Sequence, residues 1–109
     1  MRKNKYHNKK TVWRGEKFDS LRERDRYAEL LLLQRAGAIS GLSRQVEFEL
    51  TPNIRVEGKL YRKSVYVADF TYWENGKFIV EDCKGYRTDV YKLKKKLMLA
   101  KWGYLIRET

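Results

Sequence analysis

No stretch of this chain restricts its fold as much as Glu74-Asn75-Gly76-Lys77. Asn-Gly takes the positive φ angles of a tight hairpin turn with little strain, so the segments on either side must run antiparallel and pair. Tyr61 to Tyr72, before the turn, is rich in β-branched and aromatic residues. Phe78 to Lys84 is the returning strand, ended by Gly85. Gln45 to Leu50 alternates polar and apolar side chains as a half-buried strand does, and Pro52 and Asn53 punctuate its end. Ile54-Arg55-Val56 extends or restarts the pairing before a turn at Gly58, and Val12 to Phe18 forms a short hairpin about Gly15. A sheet therefore fills the middle of the chain.

Helices flank that sheet. Ser20 is a helix N-cap, and Glu23 three residues later completes a capping box. Leu21, Tyr27, Ala28, Leu31 and Leu32 follow at helical spacing, which predicts a helix from about residue 20 to 36 that buries this stripe. Asp89 to Lys101 reads as a second helix with Val90, Leu93, Leu97 and Ala100 on one face, closed by Gly103. Tyr104-Leu105-Ile106 is the expected last strand. The order predicts an α/β single domain with a mixed central β-sheet flanked by helices, over residues 12–109. Residues 1–11 have no apolar periodicity and read as a basic flexible arm.

With 109 residues, 42% hydrophobic, the chain has apolar material for one core. Its longest apolar run, Leu30 to Leu33, is far short of the ~20 residues of a membrane span. The start is basic, but polar residues stand where a secretory signal needs an apolar stretch. Cys83, the sole cysteine, forms no internal disulfide, which fits a cytoplasmic setting. The net charge of +11 is concentrated: residues 1–17 carry seven basic side chains against Glu16, and residues 84–101 carry seven against Asp89. Such clusters point to a polyanion, because Lys and Arg displace counterions condensed on nucleic acid. A solubilising surface or a packing role in a larger particle is the plainer alternative.

The chemistry-bearing residues lie on the central hairpin. Asp69 is embedded among Val67, Ala68 and Phe70, where a carboxylate is expensive to bury without a partner. Alternation puts Asp82 and Lys84 on one face of the returning strand and Glu81 on the other. The hairpin can set Asp69 beside Asp82, with Lys84 one pleat away. Two carboxylates offer the hard oxygen ligands that Mg²⁺ favours, and an ammonium can orient water and offset charge on a phosphate. A buried Asp–Lys ion pair is the structural alternative. A one-residue slip of register would exchange Asp82 for Glu81.

Taken together, Glu23 on a helix, Asp69, and Asp82-Cys83-Lys84 on the next strand resemble the PD-(D/E)xK nuclease superfamily. The nearest likeness is to small phage-encoded endonucleases similar to Holliday-junction resolvases. It is carried by Lys5-Tyr6-His7-Asn8-Lys9-Lys10-Thr11, Phe18-Asp19-Ser20, Gln45 with Phe48, Val67-Ala68-Asp69-Phe70, Glu81-Asp82-Cys83-Lys84-Gly85 and Thr88-Asp89-Val90-Tyr91-Lys92. Ala68 stands where the superfamily has Pro, and Asp82 is one methylene shorter than the more common Glu. The resemblance implies a restriction-endonuclease-like core and a Mg²⁺-dependent endodeoxyribonuclease, with Mn²⁺ able to substitute. It also implies a branched or duplex DNA partner and the cytoplasm of a bacterial host, while a chain this small, with limited DNA-binding surface, suits a homodimer whose two-fold symmetry would serve paired cuts. Asp69, Asp82 and Glu23 would hold the metal, and Lys84 would be the catalytic lysine. Lys5, Lys9, Lys10, Gln45, Arg87, Lys92, Lys95 and Lys96 would contact DNA. Two alternatives remain: a non-catalytic nucleic-acid-binding accessory protein that keeps the fold, and a nuclease subunit that depends on a partner.

Overall fold

The structure, a computed structural model, describes residues 10–83 and 87–109. The far end of the basic arm and the Lys84-Gly85 step therefore lie outside the described residues. The chain opens with a small hairpin of β1 (Thr11–Trp13) and β2 (Glu16–Phe18), then α1 (Leu21–Arg35). Next come β3 (Ser40–Thr51), a second small hairpin of β4 (Ile54–Val56) and β5 (Lys59–Tyr61), and β6 (Ser64–Glu74). Last are β7 (Lys77–Asp82), α2 (Asp89–Trp102) and β8 (Arg107–Glu108). One four-stranded sheet runs in the order β3-β6-β7-β8, antiparallel except for the parallel β7–β8 pair. The described residues form a single α/β domain with a mixed sheet and two helices. Among the described residues no helix is long and apolar enough to cross a membrane.

The turn at Asn75-Gly76 forms as its sequence dictates, with φ of 52° and 74°, and joins β6 to β7. Both helices are capped: Ser20 Oγ accepts from the Glu23 N–H at 3.1 Å, and Thr88 Oγ1 from the Tyr91 N–H at 3.0 Å. The Glu23 carboxylate does not close back on Ser20. It accepts from the Asp19 N–H instead, at 3.2 Å.

The buried faces of the helices differ from the predicted stripes. In α1 the inward row is Glu23, Tyr27 and Leu30, while Leu21 and Leu32 are exposed. In α2 it is Tyr91 and Met98 with Leu97 beside them, while Val90, Leu93 and Ala100 are exposed. The last strand also moves. Ile106 is buried in the core and Tyr104 packs against Phe48 and Phe78, so ladder pairing begins only at Arg107. Tyr61 belongs to the small hairpin rather than to the long strand, and β3 begins five residues earlier than its alternating segment suggests.

The sheet separates two cores. On the α2 side lie Phe48, Leu50, Tyr66, Ala68, Val80, Tyr91, Met98 and Ile106; on the α1 side lie Leu30, Ile39, Phe70, Tyr72 and Ile79. In β6, Tyr66 and Ala68 serve the first core, yet Phe70 and Tyr72, of the same parity, serve the second. Strict alternation would keep all four on one face. β3 changes face at the same level: Val46 packs on the α2 side and Leu42 on the α1 side. Between them stands Gln45, whose φ of 52° lies in the left-handed region that strains a side-chain-bearing residue. The register brackets Gln45 and Asp69 together, because Arg44 pairs with Phe70 and Val46 with Ala68. Both strands thus switch faces at the step that carries the candidate site.

Candidate active site

Asp69 and Asp82 come together because the β6–β7 ladder pairs Phe70, the residue after Asp69, with Glu81, the residue before Asp82. Asp69 Oδ2 accepts from the Cys83 N–H at 2.9 Å, and Asp82 Oδ2 from the Tyr66 hydroxyl at 2.6 Å. Glu23 reaches the same place from the first turn of α1. Gln45 Nε2 lies 3.0 Å from Glu23 Oε1 and 3.4 Å from Asp69 Oδ1, so one amide spans two carboxylates. Asp82 and Glu23 both act electrostatically on the Asp69 carboxyl. Three carboxylates and an amide, drawn from α1, β3, β6 and β7, thus meet at the point where the strands switch faces.

Electrostatics set the character of the cluster. Burial pushes the Asp69 carboxyl above its ordinary range, and the negative charge of Glu23 adds to the rise; a hydrogen bond with Asp82 and the Cys83 N–H pull it back. Burial, reinforced by the Asp82 carboxylate, raises the Tyr66 hydroxyl far above its ordinary value, so Tyr66 stays a donor at any physiological pH. The nearest described cation is Arg44, 3.9 Å from Glu23 Oε1. Its guanidinium is already committed to Glu16 at 2.8 Å, to the Lys17 carbonyl at 3.0 Å and to the Phe18 ring at 4.0 Å.

Glu81 lies on the α1 face of the sheet, opposite to Asp82, and is fully occupied. Arg26 Nε and Nη2 donate to its two carboxylate oxygens at 2.7 and 3.0 Å, Tyr72 at 2.5 Å, and Thr109 Oγ1 at 3.2 Å. A cleft of about 470 Å³ lined by Arg22, Asp25, Arg26, Glu29, Cys83 and Thr109 opens beside this pair, not over Asp69. The carboxylate cluster opens directly to the surface, with Gln45 exposed and Asp69 half-buried, while Glu23 and Asp82 lie behind them.

The remaining predicted residues scatter. Lys10, Lys92 and Lys96 are exposed. Arg87 and Lys95 both pair with Glu108, at 2.9 and 3.2 Å, which offsets part of the charge they would offer to a phosphate. Lys5, Lys9 and Lys84 lie outside the described residues. Sequence reasoning missed Tyr66, Arg44 and Arg26. No motif flags them; only the known register of β3, β6 and β7 would have placed Tyr66 beside Asp82.

Among the described residues, no group of three or more Asp, Glu, His or Cys side chains is placed to hold a metal ion together. Mg²⁺ does not require one: it is commonly held by one or two carboxylates, keeping waters and substrate phosphates as its other ligands. The donors here are hard oxygens, and Asp69 is a half-buried carboxyl crowded by the negative charge of Glu23. A divalent cation would relieve that crowding, so the residues present fit one.

The family described as protein of unknown function (DUF1064) matches residues 3–108, and the chain belongs to it. No curated protein and no solved structure matches the chain.

Proposed function

We propose that this member of the DUF1064 family is a metal-dependent endodeoxyribonuclease that hydrolyses phosphodiester bonds in branched or otherwise structured DNA. The observation that carries the reading is the meeting of Glu23, Asp69 and Asp82 about Gln45 at an open surface of a strongly basic protein. A protein that only bound phosphate would gain by losing those negative charges. The sheet order β3-β6-β7-β8 between two helices supports reading the core as restriction-endonuclease-like.

Asp69 and Asp82 would hold the cation, with Glu23 as a third or water-mediated ligand. When bound, Mg²⁺ or Mn²⁺ supplies Lewis-acid polarisation of a phosphodiester oxygen and lowers the pKa of an attacking water. Tyr66 fixes the Asp82 carboxylate through its hydroxyl, and Gln45 holds Glu23 and Asp69 at a constant separation. The backbone N–H of Cys83 orients Asp69. Lys84, by the resemblance, would orient water and offset charge on the phosphate. Exposed Lys92 and Lys96 offer contacts to the DNA backbone.

The test is incubation of the purified protein with junction, flap, duplex and single-stranded DNA, with and without Mg²⁺ or Mn²⁺. Cleavage that needs the metal and favours the junction or flap is expected. Binding without cleavage under every condition would assign the chain to the accessory class instead.

A further inference from the structure

We infer that the β4–β5 hairpin is a DNA-gripping arm: a two-stranded ribbon that lies in a groove of the duplex flanking the cleavage site. The inference rests on DNA being the partner in the function proposed above. Every residue from Pro52 to Ser64 is exposed, including the apolar side chains of Ile54, Val56 and Tyr61, each about half accessible. A lone two-stranded hairpin is marginal in water, so one held this far from any core calls for something outside the chain. The radius of gyration, 16.0 Å, exceeds the ~13 Å of a compact domain of about a hundred residues.

The arm is built to hold its shape. Glu57 and Gly58, with φ of 50° and 78°, form a two-residue turn of the hairpin type. Arg55 Nη1 donates to the Gly58 carbonyl at 3.1 Å. At the base, the Lys63 N–H donates to Asn53 Oδ1 at 2.7 Å and the Ser64 N–H to Thr51 Oγ1 at 3.0 Å, which clamps the arm to β3 and β6. Cross-strand pairing puts Ile54, Val56, Lys59 and Tyr61 on one face, with Lys59 Nζ 5.1 Å from the Tyr61 ring centre.

Charge decides what that surface meets. Arg55, Lys59, Arg62 and Lys63 stand against Glu57 alone, a third basic cluster within a region that is otherwise acidic. A second copy of this chain carries a net charge of +11 and would repel the arm, whereas a phosphate backbone attracts it. A two-stranded ribbon fits the DNA major groove, which is ~12 Å wide. Its position also suits a substrate held at the carboxylates. Ser64 is five residues from Asp69 along β6, at most ~17 Å, and the turn lies at most ~20 Å beyond that. The reach spans about one helical turn of duplex, ~34–36 Å.

The experiment measures the affinity of the full chain for a labelled duplex in EDTA across a salt series. R55Q/K59Q/R62Q/K63Q is compared with the unmodified protein, with circular dichroism melts to verify folding of both. The slope of log affinity against log salt is expected to shrink by at least ~1, approaching ~3.6 if all four side chains touch phosphates. A smaller change overturns the assignment. If I54S/V56S/Y61S then lowers the particle mass by light scattering, the arm is a contact between copies instead. The titration needs neither metal nor cleavage. A reduced slope without nuclease activity in any metal would keep the arm and remove the nuclease reading; an unchanged slope with cleavage would do the reverse.

Discussion

Replacing Arg26 with Met should be among the most damaging single changes in this protein, although Arg26 touches no part of the proposed catalytic cluster. Its partner Glu81 is completely buried, and Arg26 itself is 22% exposed, so the pair is nearly desolvated on one side only. Two charge-assisted hydrogen bonds at 2.7 and 3.0 Å compensate the Glu81 carboxylate, and only the Tyr72 and Thr109 hydroxyls remain once they are lost. Stranding a buried charge in this way costs about 3–5 kcal/mol. Against a total stability of about 5–15 kcal/mol, that is a large share. At about 4–8 °C per kcal/mol, Tm should fall by about 12–40 °C. Glu81→Gln should cost less, about 1–3 kcal/mol, because it leaves behind a guanidinium that still reaches water and Glu29. Urea and thermal denaturation of both variants measure this. An Arg26→Met protein within about 1 kcal/mol of the unmodified chain would refute the reasoning and reopen the choice between Glu81 and Asp82.

Two further outcomes test the periphery of the site. Deleting residues 1–10 removes Arg2, Lys3, Lys5, Lys9 and Lys10 and no acidic group, so the fold should survive while the salt slope of DNA binding shrinks by about 0.9 for each lost phosphate contact; an unchanged slope would show that the arm touches no phosphate. Burial pushes the Cys83 thiol up to about 11, so its thiolate is scarce at neutral and mildly basic pH. Alkylation by iodoacetamide at pH 8 should run about two-hundredfold slower in the folded protein than in urea, and equal rates would contradict a packed, non-nucleophilic Cys83.

Much of the scaffold was legible because local signals were strong. Ser20 and Thr88 as caps, Gly103 as a terminator and the Asn75-Gly76 turn each act over a few residues, and the two helices lie within one residue of expectation. The buried helix faces were not legible. In α1 the inward row includes Glu23, and Arg26 reaches Glu81, so the polar groups of the site and its support interrupt the stripe by which an amphipathic helix is recognised. The faces of β3 and β6 failed as a guide for a related reason. Alternation assumes an unbroken pleat, but both strands change phase at Gln45 and Asp69, and a positive φ at a glutamine leaves no trace in sequence. Local rules break most where the candidate chemistry sits. The Asn75-Gly76 turn does fix the register of β6 against β7 as far as Phe70 and Glu81, the neighbours of Asp69 and Asp82.

The decisive measurement is Mg²⁺-dependent cleavage of a DNA junction by the unmodified protein, Asp69→Asn and Asp82→Asn, with DNA affinity measured alongside. Losing a metal ligand should remove at least about 3 kcal/mol of transition-state stabilisation, so each variant should cleave at least about a hundredfold more slowly. Each should bind DNA as tightly or more so, since a negative charge has left the neighbourhood of the phosphate. Glu81→Gln, assayed below its melting transition, should retain cleavage. Full activity in either aspartate variant, or loss of activity in Glu81→Gln alone, would contradict the assignment of the cation to Asp69 and Asp82.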